Sequence, residues 1–268
     1  MRNLKLEIEY EGTNYCGWQI QKSHHVTTSP SQKPRSIQET IERTLQRILQ
    51  EKVRLIASGR TDAGVHALAQ VANFKTNSKI PSDKLQVALN GLLPDDITIR
   101  QIREKDLNFH SRFAAKSKIY RYTILNRSYP SAILRNFVYF YPYPLDIRLM
   151  RQEAYCLLGK HNFAAFCASA SNVKNTIRTI KKISIKKIPF KLNNPVTEES
   201  KNAFLIIIDI EADGFLYNMV RNIVGTLIEI GRGRFPPDSL KKILASGNRK
   251  LAGQTVPACG LCLLKVKY

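Results

Sequence analysis

Apolar and charged positions alternate strictly near the start of the chain, where Leu4, Leu6, Ile8 and Tyr10 are separated by Lys5, Glu7 and Glu9. A period of two sends successive side chains to opposite faces, so this segment is expected as a strand buried on one side. The period then lengthens. Ile37, Ile41, Leu45, Ile48 and Leu49 recur at helical spacing behind Ser36-x-x-Glu39, a capping-box pattern that opens a helix. Strands are expected at about Val53 to Ala57 and Gln70 to Phe74. A helix with Leu85, Ala88, Leu89 and Leu92 on one face follows, stopped by Pro94, and then a strand from Ile97 to Ile102. The order βαββαβ is that of a ferredoxin-like unit, an antiparallel sheet with two helices on one face.

The second half reads in the same way: a strand Ile119 to Leu125, a helix of about Ile147 to Leu158, and strands Ile177 to Ile188 and Ala203 to Glu211. A helix Phe215 to Ile230, a short helix near Leu240 and a strand Leu261 to Val266 complete it. The fold class expected is therefore α+β, with two ferredoxin-like halves, residues 1–106 and 107–268, joined near Asp106 to Lys116. Such halves would leave a cleft between two sheets, the expected place for a ligand. Ferredoxin-like units host many chemistries, so fold alone fixes no function.

Composition narrows the partners. A hydrophobic content of 43% provides for real cores and argues against disorder. The 42 Lys and Arg outnumber the 21 Asp and Glu, and the net charge of +21 calls for an anionic partner, nucleic acid before a lipid face or a merely solvated surface. The first residues lack an apolar signal core. The longest apolar run, Ala203 to Ile208, falls far short of the roughly 20 residues that span a bilayer, so a soluble protein with no membrane partner is expected. The five cysteines are odd in number and sit mostly among apolar residues, which suits reduced thiols in a cytoplasm. Cys259-Gly-Leu-Cys262 has no second Cys or His pair at matching spacing and is read as structural, and His24 and His25 lie in a polar stretch with Pro30 and Pro34. No metal is expected.

Three segments carry chemistry. Ser58-Gly-Arg-Thr-Asp-Ala-Gly-Val-His-Ala67 crowds two glycines, Arg60 and Asp62 into a short loop after an apolar strand; it can hold backbone close to a substrate, or be a turn whose Asp bonds its own backbone. In the helix from Phe215, spacing sets Arg221 beside Tyr217, Val224 and Ile228, on the apolar side. A guanidinium there demands an anion, for which Asp62 is the best candidate; the alternatives are that it reaches solvent or binds phosphate itself. In Phe109-His-Ser-Arg-Phe-Ala-Ala-Lys-Ser-Lys-Ile-Tyr-Arg-Tyr122, aromatic and basic residues interleave, which suits stacking on bases with cations on phosphates as well as it suits ordinary sheet aromatics. Tyr120 and Tyr122 share one face there.

Together and in this order, these elements resemble the TruA family of tRNA pseudouridine synthases. The likeness runs from Tyr10-Glu-Gly-Thr-Asn-Tyr-Cys-Gly-Trp-Gln19 through Gly59-Arg-Thr-Asp-Ala-Gly-Val-His66, Lys118-Ile-Tyr-Arg-Tyr122 and Gly214-Phe-Leu-Tyr-Asn-Met-Val-Arg-Asn-Ile-Val-Gly225 to Pro257-Ala-Cys-Gly-Leu-Cys-Leu263. The resemblance implies that Asp62 is the catalytic aspartate and that Arg60 holds or displaces the nucleotide. It implies that Tyr120 stacks on the target uracil and that Arg221 forms the ion pair fixing Asp62. It further implies a homodimer without cofactor, acting on uridines 38 to 40 of the tRNA anticodon stem-loop. The stretch Ser23 to Arg35 is longer than the family's usual link, and Cys259 and Cys262 stand in its C-terminal motif as packing variants. Two other classes compete. A non-catalytic RNA-binding protein of ferredoxin-like units would need only the charge and the aromatics. A glycoside hydrolase would need a second carboxylate that these motifs lack.

Overall fold

The alternating N-terminal segment forms β1 (Arg2–Tyr10), and the computed structural model describes residues 1–20, 35–168, 173–190 and 203–268. His24, His25 and the rest of 21–34 lie outside the described residues. The chain divides into two compact units, Met1–Lys116 with Leu263–Tyr268, and Ser117–Cys262. In the first, β1 runs antiparallel between β3 (His66–Thr76) and β4 (Ile97–Lys105), with Leu4 opposite Phe74 and Leu6 opposite Ala72. The two-residue β2 (Ile56–Ala57) also pairs with β3, and β10 (Leu261–Lys267) is a further neighbour of β3. Leu4, Leu6 and Ile8 are fully buried, as are Ile37, Ile41 and Leu45 of α1 (Ile37–Leu49) and Leu89 of α2 (Ser82–Asn90). The helix starts where the capping pattern puts it, with Ser36 Oγ accepting from the Glu39 amide at 3.1 Å.

In the second unit, β5 (Ser117–Asn126) pairs antiparallel with β9 (Phe204–Ala212), β9 with β8 (Ile177–Pro189), and the start of β8 with β7 (Gly159–Asn162); β6 (Tyr139–Tyr141) lies parallel to the end of β5. Helices α3 (Ile147–Ala154), α4 (Met219–Gly231) and α5 (Ser239–Ser246) complete the unit, with α3 running on as a 3-10 turn, Tyr155–Leu157. The whole is a mixed, sheet-rich α/β protein. Among the described residues no helix is long and apolar enough to cross a membrane.

Three elements differ from the sequence reading in ways that matter for the site. The second strand pairs only at Ile56–Ala57, because Val53 and Leu55 are buried without joining the ladder. β3 starts at His66, earlier than the expected Gln70, so the Asp62 segment is the tight connection 58–65 between paired strands. The last long helix starts at Met219 and not at Phe215, because Asn218 takes a left-handed φ of 60° that breaks the helix. Arg221 therefore stands in its first turn.

Helix α4 is buried along almost its whole length, Arg221 and Glu229 being its two half-exposed positions. Asn222, fully buried, donates to the Phe166 carbonyl at 2.8 Å and accepts from Arg249 Nη2 at 3.0 Å and Thr255 Oγ1 at 2.6 Å. A buried amide with these partners met fixes the helix in rotation as well as position. Gly225 lies directly on the backbone at Gln254, whose carbonyl a Cβ would overlap. Gly225→Ala is thus expected to lower the unfolding free energy by about 3 kcal/mol. Urea denaturation followed by circular dichroism checks this, and an unchanged midpoint would contradict the close approach.

Candidate active site

The Asp62 connection is built from backbone contacts. The Val65 amide donates to the Asp62 carbonyl at 3.2 Å, and Gly64 between them has a φ of 76°, the positive value that the third position of a type II turn demands. Upstream, Ser58 is fully buried, its amide donating to the Val71 carbonyl at 2.7 Å and its hydroxyl to Gln70 Oε1 at 2.7 Å; Gln70 Nε2 returns to the Gly59 carbonyl at 3.0 Å. The loop is stitched to β3 before it turns.

From the other side it is gripped by residues 10–18. Tyr10 Oη and Thr61 Oγ1 are 2.7 Å apart in a buried hydrogen bond, and the Trp18 amide donates to the Thr61 carbonyl at 3.0 Å. The Gly12 amide donates to Nδ1 of the buried His66 at 3.1 Å, which makes that ring nitrogen an acceptor. Gly12 and Gly17 are where the two segments meet most closely. A Cβ on Gly12 would overlap the Val65 carbonyl, and one on Gly17 would stand 2.7 Å from the Thr61 carbonyl oxygen and 3.1 Å from the Ala63 nitrogen. Gly17 also has a φ of 100°. The carbonyls of Gly17 and Trp18 accept in turn from Ile37 and Gln38 at 3.1 and 3.0 Å, satisfying first-turn amides of α1. Helix, glycine segment and aspartate loop therefore form one continuous hydrogen-bonded stack. It holds Asp62 half-buried and Arg60 exposed.

The other expected site residues belong to the second unit. Tyr120 is buried on β5, opposite Ile210, and the Phe215 ring meets it edge-on with centroids 4.9 Å apart at 80°. Arg221 is half-buried, its Nε donating to the Val256 carbonyl at 2.7 Å and its Nη1 to Asn218 Oδ1 at 2.9 Å. The same αL residue that breaks the helix therefore helps aim the guanidinium. Tyr122 donates to the Pro257 carbonyl at 2.7 Å, and burial raises its phenol well above the usual range. Arg121 points to the opposite face and forms a two-pronged pair with Asp209, at 2.8 and 2.9 Å. That ion pair occupies a cation which the sequence alone offered to phosphate. The segment Phe109 to Tyr122 is divided, its first part in the first unit and the rest on β5.

Phe215, Tyr10, Gly12, Gly17 and His66 were given no individual roles from sequence. Phe215 is the brace for Tyr120, and the others hold the aspartate loop. The signal was present in the paired glycines of the Tyr10–Gln19 string, which a strand followed by an ordinary loop does not need. Cys259 is half-buried with its Sγ 3.4 Å from the Val138 carbonyl, and burial pushes its thiol up, away from thiolate reactivity. Among the described residues no three His, Cys, Asp or Glu side chains gather as metal ligands.

The sequence profile of a family described as tRNA pseudouridine synthase matches residues 7–114 and 154–268, spans that include the Asp62 loop and Arg221 while leaving Tyr120 between them. The chain belongs to this family. It is 47% identical over 268 residues to tRNA pseudouridine synthase A of Acetivibrio thermocellus, and 46% identical to the proteins of that name from Thermoanaerobacter sp. and Clostridium acetobutylicum, with 100% of each chain covered in all three. A solved structure, of a Cbf5-Nop10-Gar1 complex, aligns at 12% identity with a TM-score of 0.32 over 97% of this chain and 58% of that one, a likeness too slight to bear on the fold.

The grip on the Asp62 loop predicts that Gly17→Ala destabilises the protein by about 2 to 4 kcal/mol, since it adds backbone strain to a collision with Thr61. Thermal unfolding beside the wild type measures it. A melting temperature within a degree of the wild type would show that residues 10–18 do not clamp the loop.

Proposed function

We propose that the protein isomerises uridine to pseudouridine within tRNA, with the Asp62 carboxylate as nucleophile and a uridine at positions 38 to 40 of the anticodon stem-loop as its target. The observation that carries this reading is the clamped turn. A carboxylate on backbone fixed from both sides, in a chain of net charge +21, suits a reaction that needs one well-aimed nucleophile and an anionic polymer as substrate. Membership in the tRNA pseudouridine synthase family supports the class of reaction.

The balance of the reaction asks little of the protein. The bond from ribose C1′ to uracil N1 breaks, the ring turns, and C1′ joins C5; the C5 proton leaves and N1 gains one. Atoms and electrons are conserved, so no redox partner or phosphate donor enters, and the enzyme is an isomerase. In this reading Asp62 attacks either the anomeric carbon or the uracil ring. Arg221 pairs with Asp62 so that the carboxylate stays ionised once water is excluded. Arg60, exposed beside the nucleophile, holds the nucleotide out of its stack. Tyr120, braced by Phe215, gives the flipped base a stacking surface that offsets the cost of unstacking it. The same reading has two ferredoxin-like halves, of which the order β1-α1-β2-β3-α2-β4 supports the first, and a homodimer working in the cytoplasm.

The test follows the C5 proton. With an unmodified tRNA transcript carrying tritium at uracil C5, the wild type releases tritium to water. Asp62→Ala is expected to slow release by at least about a thousandfold while tRNA affinity stays within about threefold, because the phosphate-binding cations remain. Arg221→Lys is expected to lose at least about tenfold, since a point charge does not reproduce a planar fork. Release at the wild-type rate by Asp62→Ala would sink the mechanism.

A further inference from the structure

Phe113 is 78% exposed, more than any other large hydrophobic side chain among the described residues, yet the loop that carries it is held with unusual firmness. Asn3, Asn73 and Ser111 beneath it are each no more than 1% exposed. Asn3 Nδ2 donates to the carbonyls of Asp106 and Phe109, both at 2.9 Å, and Asn73 Nδ2 to Asn3 Oδ1 at 2.9 Å. Asn73 Oδ1 accepts from the Ser111 amide at 2.9 Å, the Ser111 hydroxyl donates to the Ile56 carbonyl, and Tyr268 Oη donates to the Ser111 carbonyl at 2.9 Å. Covering a sheet face would need only apolar side chains. Two buried amides bonded to the loop's backbone, and the loop's own buried Ser111 hydroxyl bonded back to β2, instead fix its conformation.

What this anchoring presents is a flat ring with a cation. His110 stacks behind Phe113, with centroids 4.2 Å apart at 25°, and its Nδ1 accepts from the Arg112 and Phe113 amides at 3.3 Å each, which sets the ring's orientation. The Arg112 guanidinium stands 5.9 Å from the Phe113 ring centre. No acidic residue occurs from Leu107 to Lys116, while Arg112 and Lys116 are both exposed. A rigid ring with one face supported and a guanidinium beside it matches a nucleobase attached to its phosphate.

We propose that Phe113, supported by His110 and flanked by Arg112, is a docking platform on which an unpaired base of the tRNA stacks, a base other than the uridine being isomerised. The inference rests on tRNA being the substrate, and it assigns Phe113 to holding that substrate rather than to the chemistry. Because the ring is exposed, removing it leaves no cavity.

The experiment measures binding and turnover of an unmodified tRNA transcript by the full chain, its Phe113→Ala variant and its Phe113→Trp variant. Phe113→Ala is expected to raise Kd and KM by about tenfold with kcat and melting temperature unchanged, the loss of one base stack. Phe113→Trp is expected to keep the wild-type affinity, and its indole emission to fall on adding transcript beyond any change from the buried Trp18. Wild-type affinity in Phe113→Ala, or unaltered emission from Phe113→Trp, would overturn the proposal. So would a change in the sedimentation mass of RNA-free Phe113→Ala, which would assign the ring to a contact between copies. Failure of the underlying reading appears separately, as a wild type that binds transcript without releasing tritium from C5.

Discussion

Everything proposed for the site depends on backbone meeting backbone at Gly12 and Gly17. At both positions the main chain of residues 10–18 lies against the Asp62 turn at a distance that excludes a Cβ, and Gly17 does so at a φ of 100°. Hydrogen bonds from Trp18 to Thr61, between the Tyr10 and Thr61 hydroxyls, and from Gly12 to His66 then fill the contact. The amides at the start of α1 close it from behind. The backbone that carries Asp62 is thus fixed by main-chain contacts, which is what the proposed aiming of its carboxylate requires.

The second unit solves a different problem with the same economy. Helix α4 is locked by Asn222 and by the Gly225–Gln254 approach, and Arg221 is carried in its first turn because Asn218 leaves the helical region. The proposed mechanism needs a guanidinium that stays put. Two hydrogen bonds, to Val256 and Asn218, restrict it.

Most elements of the first unit were legible because their signals are local, such as the alternation from Leu4 to Tyr10 and the Ser36 cap, although α2 ends at Asn90, short of the expected Pro94 stop, and leaves Leu92 exposed. Short edge elements were not. Gly159–Asn162 is a polar stretch with no period to read, and Tyr139–Tyr141 is only three residues long. The start of α4 was misread because Phe215 and Leu216 continue a helical apolar spacing, whereas the αL conformation of Asn218 leaves no mark in that spacing. The Asp62 string could be picked out as a glycine-rich loop, but as a loop alone it reads more readily as a simple turn. Its partner glycines lie on a distant segment, and no local pattern in the string shows that non-local contact.

The most direct test of the central claim is where the product forms. An unmodified tRNA transcript treated with the wild-type protein, then with a carbodiimide that adducts pseudouridine, is read by primer extension. Stops that report uridines at positions 38 to 40 and nowhere else are the predicted result; stops outside the anticodon arm, or none at all, would contradict it.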